Sequence, residues 1–358
     1  MNINDPSSKN SAKNSATMRT LDAAANRAGE GLRVVEDFVR FALDDRHLTQ
    51  HCKSLRHDLA VAVAKIPVDQ RLACRDTPGD VGTEVTTTGE QTRHCGADVA
   101  VASLKRSQQA LRSLEEFGKV IDPALAASFE QIRYRTYTLE RAIHATHANR
   151  ERFADTRLYV LVDGRGSDEE LASLIESIIA AGADAIQLRD KTLTDRVLLR
   201  RARVARQATS QTGALLIIND RPDLAALSRA DGVHIGQDDL SVKDARTVVG
   251  PSALVGVSTH TIEQARAAVL DGADYLGCGP TFATPTKKFE QLAGPELLAQ
   301  VAAEIRLPAF AIGGINMSNL AQVMAAGFSK VAASSAVTAA DDPAAAAGQL
   351  RKHLEGRS

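Results

Sequence analysis

The chain has 358 residues, 44% hydrophobic, 24% charged and 4% aromatic, a composition that excludes the disordered, collagen-like and membrane-embedded classes. Lys and Arg number 43 against 44 Asp and Glu, a formal net charge of -1, so neither half carries the cationic excess of a nucleic-acid binder. Cys52, Cys74, Cys95 and Cys278 are too few and too scattered for a disulfide framework or a zinc site.

Residues 1–16 are polar and rich in Ser and Asn, with neither the apolar segment of an export signal nor the content to order themselves. They predict a loose tail, and no later run reaches the about 18 apolar residues of a membrane span. The expectation is a cytoplasmic protein without membrane or nucleic-acid partners. From residue 17 to about 150 the pattern is helical. Leu21, Ala25, Ala28, Leu32, Val35, Val39 and Ala42 recur at spacings of four and three, the stripe of an amphipathic helix over Leu21–Leu43. A parallel stripe of Asn26, Glu30, Arg33, Asp37 and Arg40 reads either as a solvated face with i,i+4 ion pairs or as a ligand-facing surface. Further helices are predicted over 48–65, 98–118 and 124–145, the last with Ile132, Thr136, Leu139 and Ile143 in phase. Between them, residues 71–91 replace the apolar period with Gly, Pro, Asp and Thr and predict a long loop.

The helical phase fades across residues 147–156, which sets a domain boundary before a barrel domain at 155–358. Beyond it, short apolar runs begin at 158, 185, 214, 232, 253, 274, 309 and 330, each followed by an amphipathic stretch. Eight such units predict an α/β fold, a (β/α)8 TIM barrel, because parallel strands buried on both faces read as continuous apolar runs. A doubly wound open sheet is the alternative architecture.

In a barrel the active site forms at the C-terminal ends of the strands. Alternation along QLRDK sets Gln187, Arg189 and Lys191 on one side, an amide, a guanidinium fork and an ammonium suited to a polyphosphate. Asp220 and Asp239 follow neighbouring strands. They suit a Mg²⁺ completed by water and phosphate oxygens, or they merely pair with Arg189 or Arg221. Gly313-Gly314 and Ser334-Ser335 follow the last two strands, where barrels commonly bind a phosphate through backbone N–H groups. His234 reads as a hydrogen-bonded core histidine before a catalytic base, and Cys278 as packing.

The segments QLRDK, NDRPDLA, GVHIGQDDL, GVSTH, GPTFATPTKK, AIGGI and SSAV occur in this order at seven successive strand ends. Together they resemble thiamine-phosphate synthase. The resemblance implies condensation of a hydroxymethylpyrimidine diphosphate with a hydroxyethylthiazole phosphate. It implies that Gln187, Arg189, Lys191, Asn219, Ser258 and Lys287 hold the pyrimidine diphosphate, Ser258 and Lys287 acting on the reaction, with Asp220 and Asp239 on Mg²⁺. It also implies that Thr284, Thr286, Gly314, Ser334 and Ser335 hold the thiazole phosphate. The segment LDAAANRAGEGLRVVEDFVRFALDD, with SLRHDL after it, resembles the monofunctional hydroxymethylpyrimidine phosphate kinase family and implies ATP as a further substrate. Asn26, Glu30, Arg33, Asp37, Arg75 and Asp76 are its candidate ligand groups. Competing readings are a thiazole tautomerase-like barrel, a non-catalytic protein that binds thiamine precursors, and a purely structural helical domain.

Overall fold

A computed structural model describes residues 6–76, 92–283 and 292–356, with side chains from Ser15 onward. Its contacts divide the chain into two compact units, 1–143 and 144–358.

The first unit is helical: α1 (Pro6–Phe38), α2 (Arg46–Ala64), α3 (Val68–Ala73), α4 (Gly96–Gly118) and most of α5 (Pro123–Arg152). α1 is continuous through the expected boundary at residue 16. Its stripe from Leu21 to Val39 is buried as the spacing predicts, but Ala42 is exposed and Leu43 takes its place. The cause is a π-helical turn at Val39–Leu43, whose wider winding inserts one residue and shifts the buried face by one position. Asp44 ends the turn in the left-handed region at φ 57. Asp45 then caps α2 by accepting the Leu48 N–H at 2.8 Å, satisfying a donor the helix leaves free. α3 lies partly inside the predicted loop, whose residues 77–91 fall outside the described residues. Ile132, Thr136, Leu139 and Ile143 are buried along α5, which runs to Arg152 without the expected fade.

The second unit is a closed barrel of eight parallel strands in sequence order. They are β1 (Leu158–Val162), β2 (Ala185–Leu188), β3 (Leu215–Asn219), β4 (Gly232–Ile235), β5 (Leu254–Thr259), β6 (Tyr275–Cys278), β7 (Ala309–Ile312) and β8 (Val331–Ala333). Each matches a predicted run, and closure excludes the open sheet. Inside, Tyr159, Ala185, Ile217, Leu254, Tyr275, Phe310 and Ala332 form one buried cluster. Phe153, which precedes the first strand, joins it edge-to-face against Phe310 at a centroid distance of 5.8 Å and packs on Tyr275 at 5.4 Å.

A repeated Ala-Asp pair starts three strands. Asp184, Asp231 and Asp274 stand immediately before β2, β4 and β6 and accept N–H groups at the start of the preceding strand, from Leu158 at 2.9 Å, Leu216 at 2.7 Å and Val255 at 2.7 Å. Each carboxylate also meets an arginine: Arg351, Arg206 and Arg246 respectively. Before β8 the same place is held by Lys330, which donates to the carbonyls of Phe153 and Thr156 instead.

Candidate active site

Strand parity delivers the polar groups. Residues two apart face the same way, so the inward positions that hold Tyr159, Ala185 and Ile217 in the core continue upward to Gln187 on β2 and Asn219 on β3. The same parity carries His234 on β4 and Ser258 on β5 toward the C-terminal rim. Register sets Asn219 beside His234 and Ser258 beside Gly277.

At this rim Lys191 pairs with Asp220 at 3.0 Å. Asp220 follows β3 in the left-handed region, φ 59, a conformation costing an ordinary residue about 1–2 kcal/mol and tolerated best by Asn and Asp. Burial pushes its carboxyl up, yet the hydrogen bonds with Lys191, Asp239 and Asn219 outweigh that and hold it below the ordinary value. Asp239 moves the opposite way. Burial raises it and Asp220 adds to the rise, against the Gly236 N–H that it accepts at 2.7 Å. Two neighbouring carboxyls, the one shifted down and the other up partly by each other, offer hard oxygen donors that suit a divalent cation held by two carboxylates plus waters or phosphate oxygens. The alternative pairing is not what forms: Arg221 binds Asp195 at 2.6 Å and Asp223 at 2.7 Å, and the Arg189 guanidinium makes no ion pair among the described residues. Asp190, inside the same QLRDK segment, instead organises the loop by accepting N–H groups of Gly164, Thr192 and Leu193.

His234 and Ser258 belong to a buried polar chain. The Gln187 amide Nε2 donates to the Tyr159 hydroxyl at 2.6 Å, and the Tyr159 and Tyr275 hydroxyls meet at 3.1 Å. Tyr275 meets His234 Nδ1 at 3.1 Å, while His234 Nε2 lies 2.9 Å from Ser258 Oγ. Burial drives the His234 pKa down to about 4, only partly countered by Asp220, so the ring is neutral at physiological pH. Gln237 donates to the Ser258 carbonyl at 2.6 Å. Cys278 is fully buried, its thiol pushed up to about 12, which removes it as a nucleophile.

Gly313 and Gly314 both have positive φ, 96 and 66. A Cβ on Gly314 would sit 2.6 Å from the Ala283 carbonyl oxygen, so the loop after β6 packs directly on this backbone. Ser334 is half-buried beside the Leu161 carbonyl and Ser335 is exposed. Thr284, Thr286 and Lys287 lie outside the described residues. A cleft of about 450 Å³ opens among Arg157, Leu307, Phe328 and Lys330 at the opposite, N-terminal ends of the strands and holds none of the candidate groups. Tyr159 and Tyr275 are absent from the sequence-level candidates. Their signal is a hydroxyl-bearing ring at an inward strand position, where an aliphatic side chain would suffice for packing.

In the helical unit, Asn26, Glu30 and Arg33 are exposed, and Arg33 pairs along the helix with Asp37 at 3.3 Å and Glu36 at 3.9 Å. Exposure and intrahelical pairs are common to a solvated face and to a ligand-facing one. Arg75 meets Asp22 at 2.7 Å, with Arg71 at 3.4 Å, and the carbonyl of Asp76 accepts from Arg19 at 3.3 Å. Asp22, only 3% exposed, is the group that pattern reading overlooks. An acid on the buried stripe of α1 is its visible sign.

The family model described as thiamine monophosphate synthase matches residues 158–337, and that of the ThiD2 family matches 19–142. The thiamine-phosphate synthase of Rhodopirellula baltica is 44% identical over 353 residues, covering 96% of this chain and 94% of its own. The chain belongs to the thiamine monophosphate synthase family. The Synechocystis thiamine-phosphate synthase is similar at 41% identity, over 96% of this chain and 98% of its own. Among solved structures, a thiamine phosphate pyrophosphorylase from Pyrococcus furiosus superposes with a TM-score of 0.51 at 33% identity, covering 56% of this chain and 96% of its own. The barrel is therefore a transferase of thiamine biosynthesis, and the helical unit carries the ThiD2 match.

Proposed function

We propose that the barrel joins hydroxymethylpyrimidine diphosphate to hydroxyethylthiazole phosphate, and that the helical unit makes the diphosphate from the monophosphate with ATP. In the barrel reaction the C–O bond at the pyrimidine methylene breaks and its electron pair leaves on diphosphate. The thiazole nitrogen supplies the pair for the new C–N bond and ends as a thiazolium. No proton has to be taken from the nucleophile and no covalent enzyme intermediate is needed. The demand on the protein is to stabilise a polyanionic leaving group, which cations and oriented donors do.

Arg189, Lys191, Asn219, Gln187 and Lys287 are the groups assigned to the pyrimidine diphosphate, with Ser258 beside its leaving oxygen. Gly314, Ser334 and Ser335, with Thr284 and Thr286, are assigned to the thiazole phosphate. Asp220 and Asp239 would hold a Mg²⁺, which when bound neutralises charge on diphosphate oxygens. The observation that carries this reading is the convergence of the Lys191–Asp220 pair and the Asp220–Asp239 contact on the C-terminal rim, the end at which barrels build their active sites. For the helical unit the support is its family match over 19–142. Four free cysteines and no helix long and apolar enough to cross a membrane among the described residues are consistent with a cytoplasmic setting for this small-molecule chemistry.

The test supplies purified protein with ATP, Mg²⁺, pyrimidine monophosphate and thiazole phosphate, and looks for thiamine phosphate by mass spectrometry. Product is the expected result. Product only when the diphosphate is added would remove the kinase assignment and leave the synthase. No product under either condition would refute both.

A further inference from the structure

We infer that Gln187, Tyr159, Tyr275, His234 and Ser258 form a positioning relay that fixes the direction of every proton along it, so that Ser258 meets the reactants as a hydrogen-bond donor. The inference deepens the synthase reading, because it rests on Ser258 standing beside the leaving group. The amide nitrogen of Gln187 can only donate, so the Tyr159 oxygen must accept from it. The Tyr159 proton is then directed to the Tyr275 oxygen, and the Tyr275 proton to His234 Nδ1. A neutral imidazole whose Nδ1 accepts carries its proton on Nε2, and Nε2–H donates to Ser258 Oγ. With its oxygen accepting from histidine, the serine keeps its single hydroxyl proton for a ligand. The reverse order, with the Gln187 carbonyl toward Tyr159, would consume that proton in a bond to His234 and offer the reactants only a lone pair. The amide at one wall thus decides the polarity of the hydroxyl at the other.

The molecule maintains this chain against simpler packing. Tyr159, Tyr275, His234 and Gln187 are 2%, 1%, 5% and 2% exposed, and polar groups so deep are tolerated only when every one is bonded. An apolar interior of the same shape would be equally stable or more so. Two strand glycines keep the space open for the rings. A Cβ on Gly256 would lie 2.1 Å from Tyr275 Cζ, and one on Gly277 3.0 Å from His234 Cε1. Tyr159, Tyr275 and His234 are positioning residues here, acting through Ser258.

Two measurements test the relay. In protein labelled with ¹⁵N-histidine, with His234 assigned through the His234→Gln variant, the long-range nitrogen couplings should show His234 as the pure Nε2–H tautomer. An Nδ1–H tautomer or a cation would overturn the proton order. The second measurement is a double-mutant cycle on synthase turnover with the diphosphate supplied. Tyr275→Phe should lower kcat about tenfold, the value of one lost hydrogen bond of ordinary strength, with little change in KM for the pyrimidine. It should cost nothing further in a Ser258→Ala background. Additive losses would refute the relay while leaving Ser258 in the site. Full turnover in Ser258→Ala alone would refute the placement of Ser258, and the relay's purpose with it. Should Tyr275→Phe fail to fold, Tyr159→Phe cuts the chain one link earlier and the same cycle applies.

Discussion

Asp220 combines three properties in one side chain: a left-handed backbone, an ion pair with Lys191 and a contact with a second carboxyl. Asp220→Asn separates charge from shape, because asparagine accepts the left-handed conformation equally well. Stability should change by less than about 1 kcal/mol, since the pair is solvent-accessible on the Lys191 side. Turnover should fall by about a hundredfold or more if the charge serves the leaving group. Thermal melting and initial rates on one preparation decide it, and a variant with normal turnover would remove Asp220 from the chemistry. At Gly256 the expectation is reversed. The added methyl of Gly256→Ala collides with the Tyr275 ring and should destabilise the barrel by about 1–3 kcal/mol, read as a lowered urea midpoint.

Strand starts are the recurrent element-scale device of the barrel. Asp184, Asp231 and Asp274 each tie a preceding strand to the next through backbone N–H groups, while Lys330 before β8 binds carbonyls with the opposite polarity. Burial, aided by Arg157 and Arg351 and opposed by Asp184 and Asp155, lowers the Lys330 pKa to about 8 from its ordinary 10.5. Between those values the unfolded chain binds more protons than the folded one, so this lysine makes stability rise with pH across that window. In Lys330→Met the rise should disappear. Urea titrations of both proteins at the two ends of the window measure it, and parallel curves would mean that Lys330 is not titrating there. The Ala-Asp repeats were visible in the sequence at 183, 230 and 273, but their partners were not. Asp184 reaches N–H groups more than twenty residues earlier, a pairing fixed by barrel register rather than by local pattern. The same limit hid the π turn in α1, where a strict period of four and three names Ala42 and the wound helix buries Leu43.

At the scale of the molecule, the compact units divide at Ile143 and His144, within the span of α5. The barrel start at 155, set by the fading of the helical phase, leaves out Phe153, which is 2% exposed and packs on Tyr275 and Phe310. A fragment beginning at His144 should therefore retain synthase activity with supplied diphosphate. One beginning at Asp155 should be less stable by about 3–5 kcal/mol, the loss of a buried phenylalanine, as seen in comparative denaturant melts. Equal stability of the two would show that Phe153 is dispensable to the barrel core.

The sequence by itself determined the helical first unit, the eight strands and their order, and the polar residues at each strand end. These follow from periodicity and alternation, which are properties of neighbouring residues along the chain. Gln187, Asn219 and Ser258 were legible as site candidates because they stand at strand ends, where a barrel forms its active site, in segments that resemble a known family. Only the tertiary structure decided which of them touch. Tyr159 and Tyr275 are 116 positions apart, yet their hydroxyls meet. Arg75 finds Asp22 from 53 positions away, and Asp220 meets Lys191 where the alternative reading paired it with Arg189 or Arg221. Such pairings arise only when the sheet closes and brings distant strand ends to one rim, and no local pattern encodes the distance across a barrel.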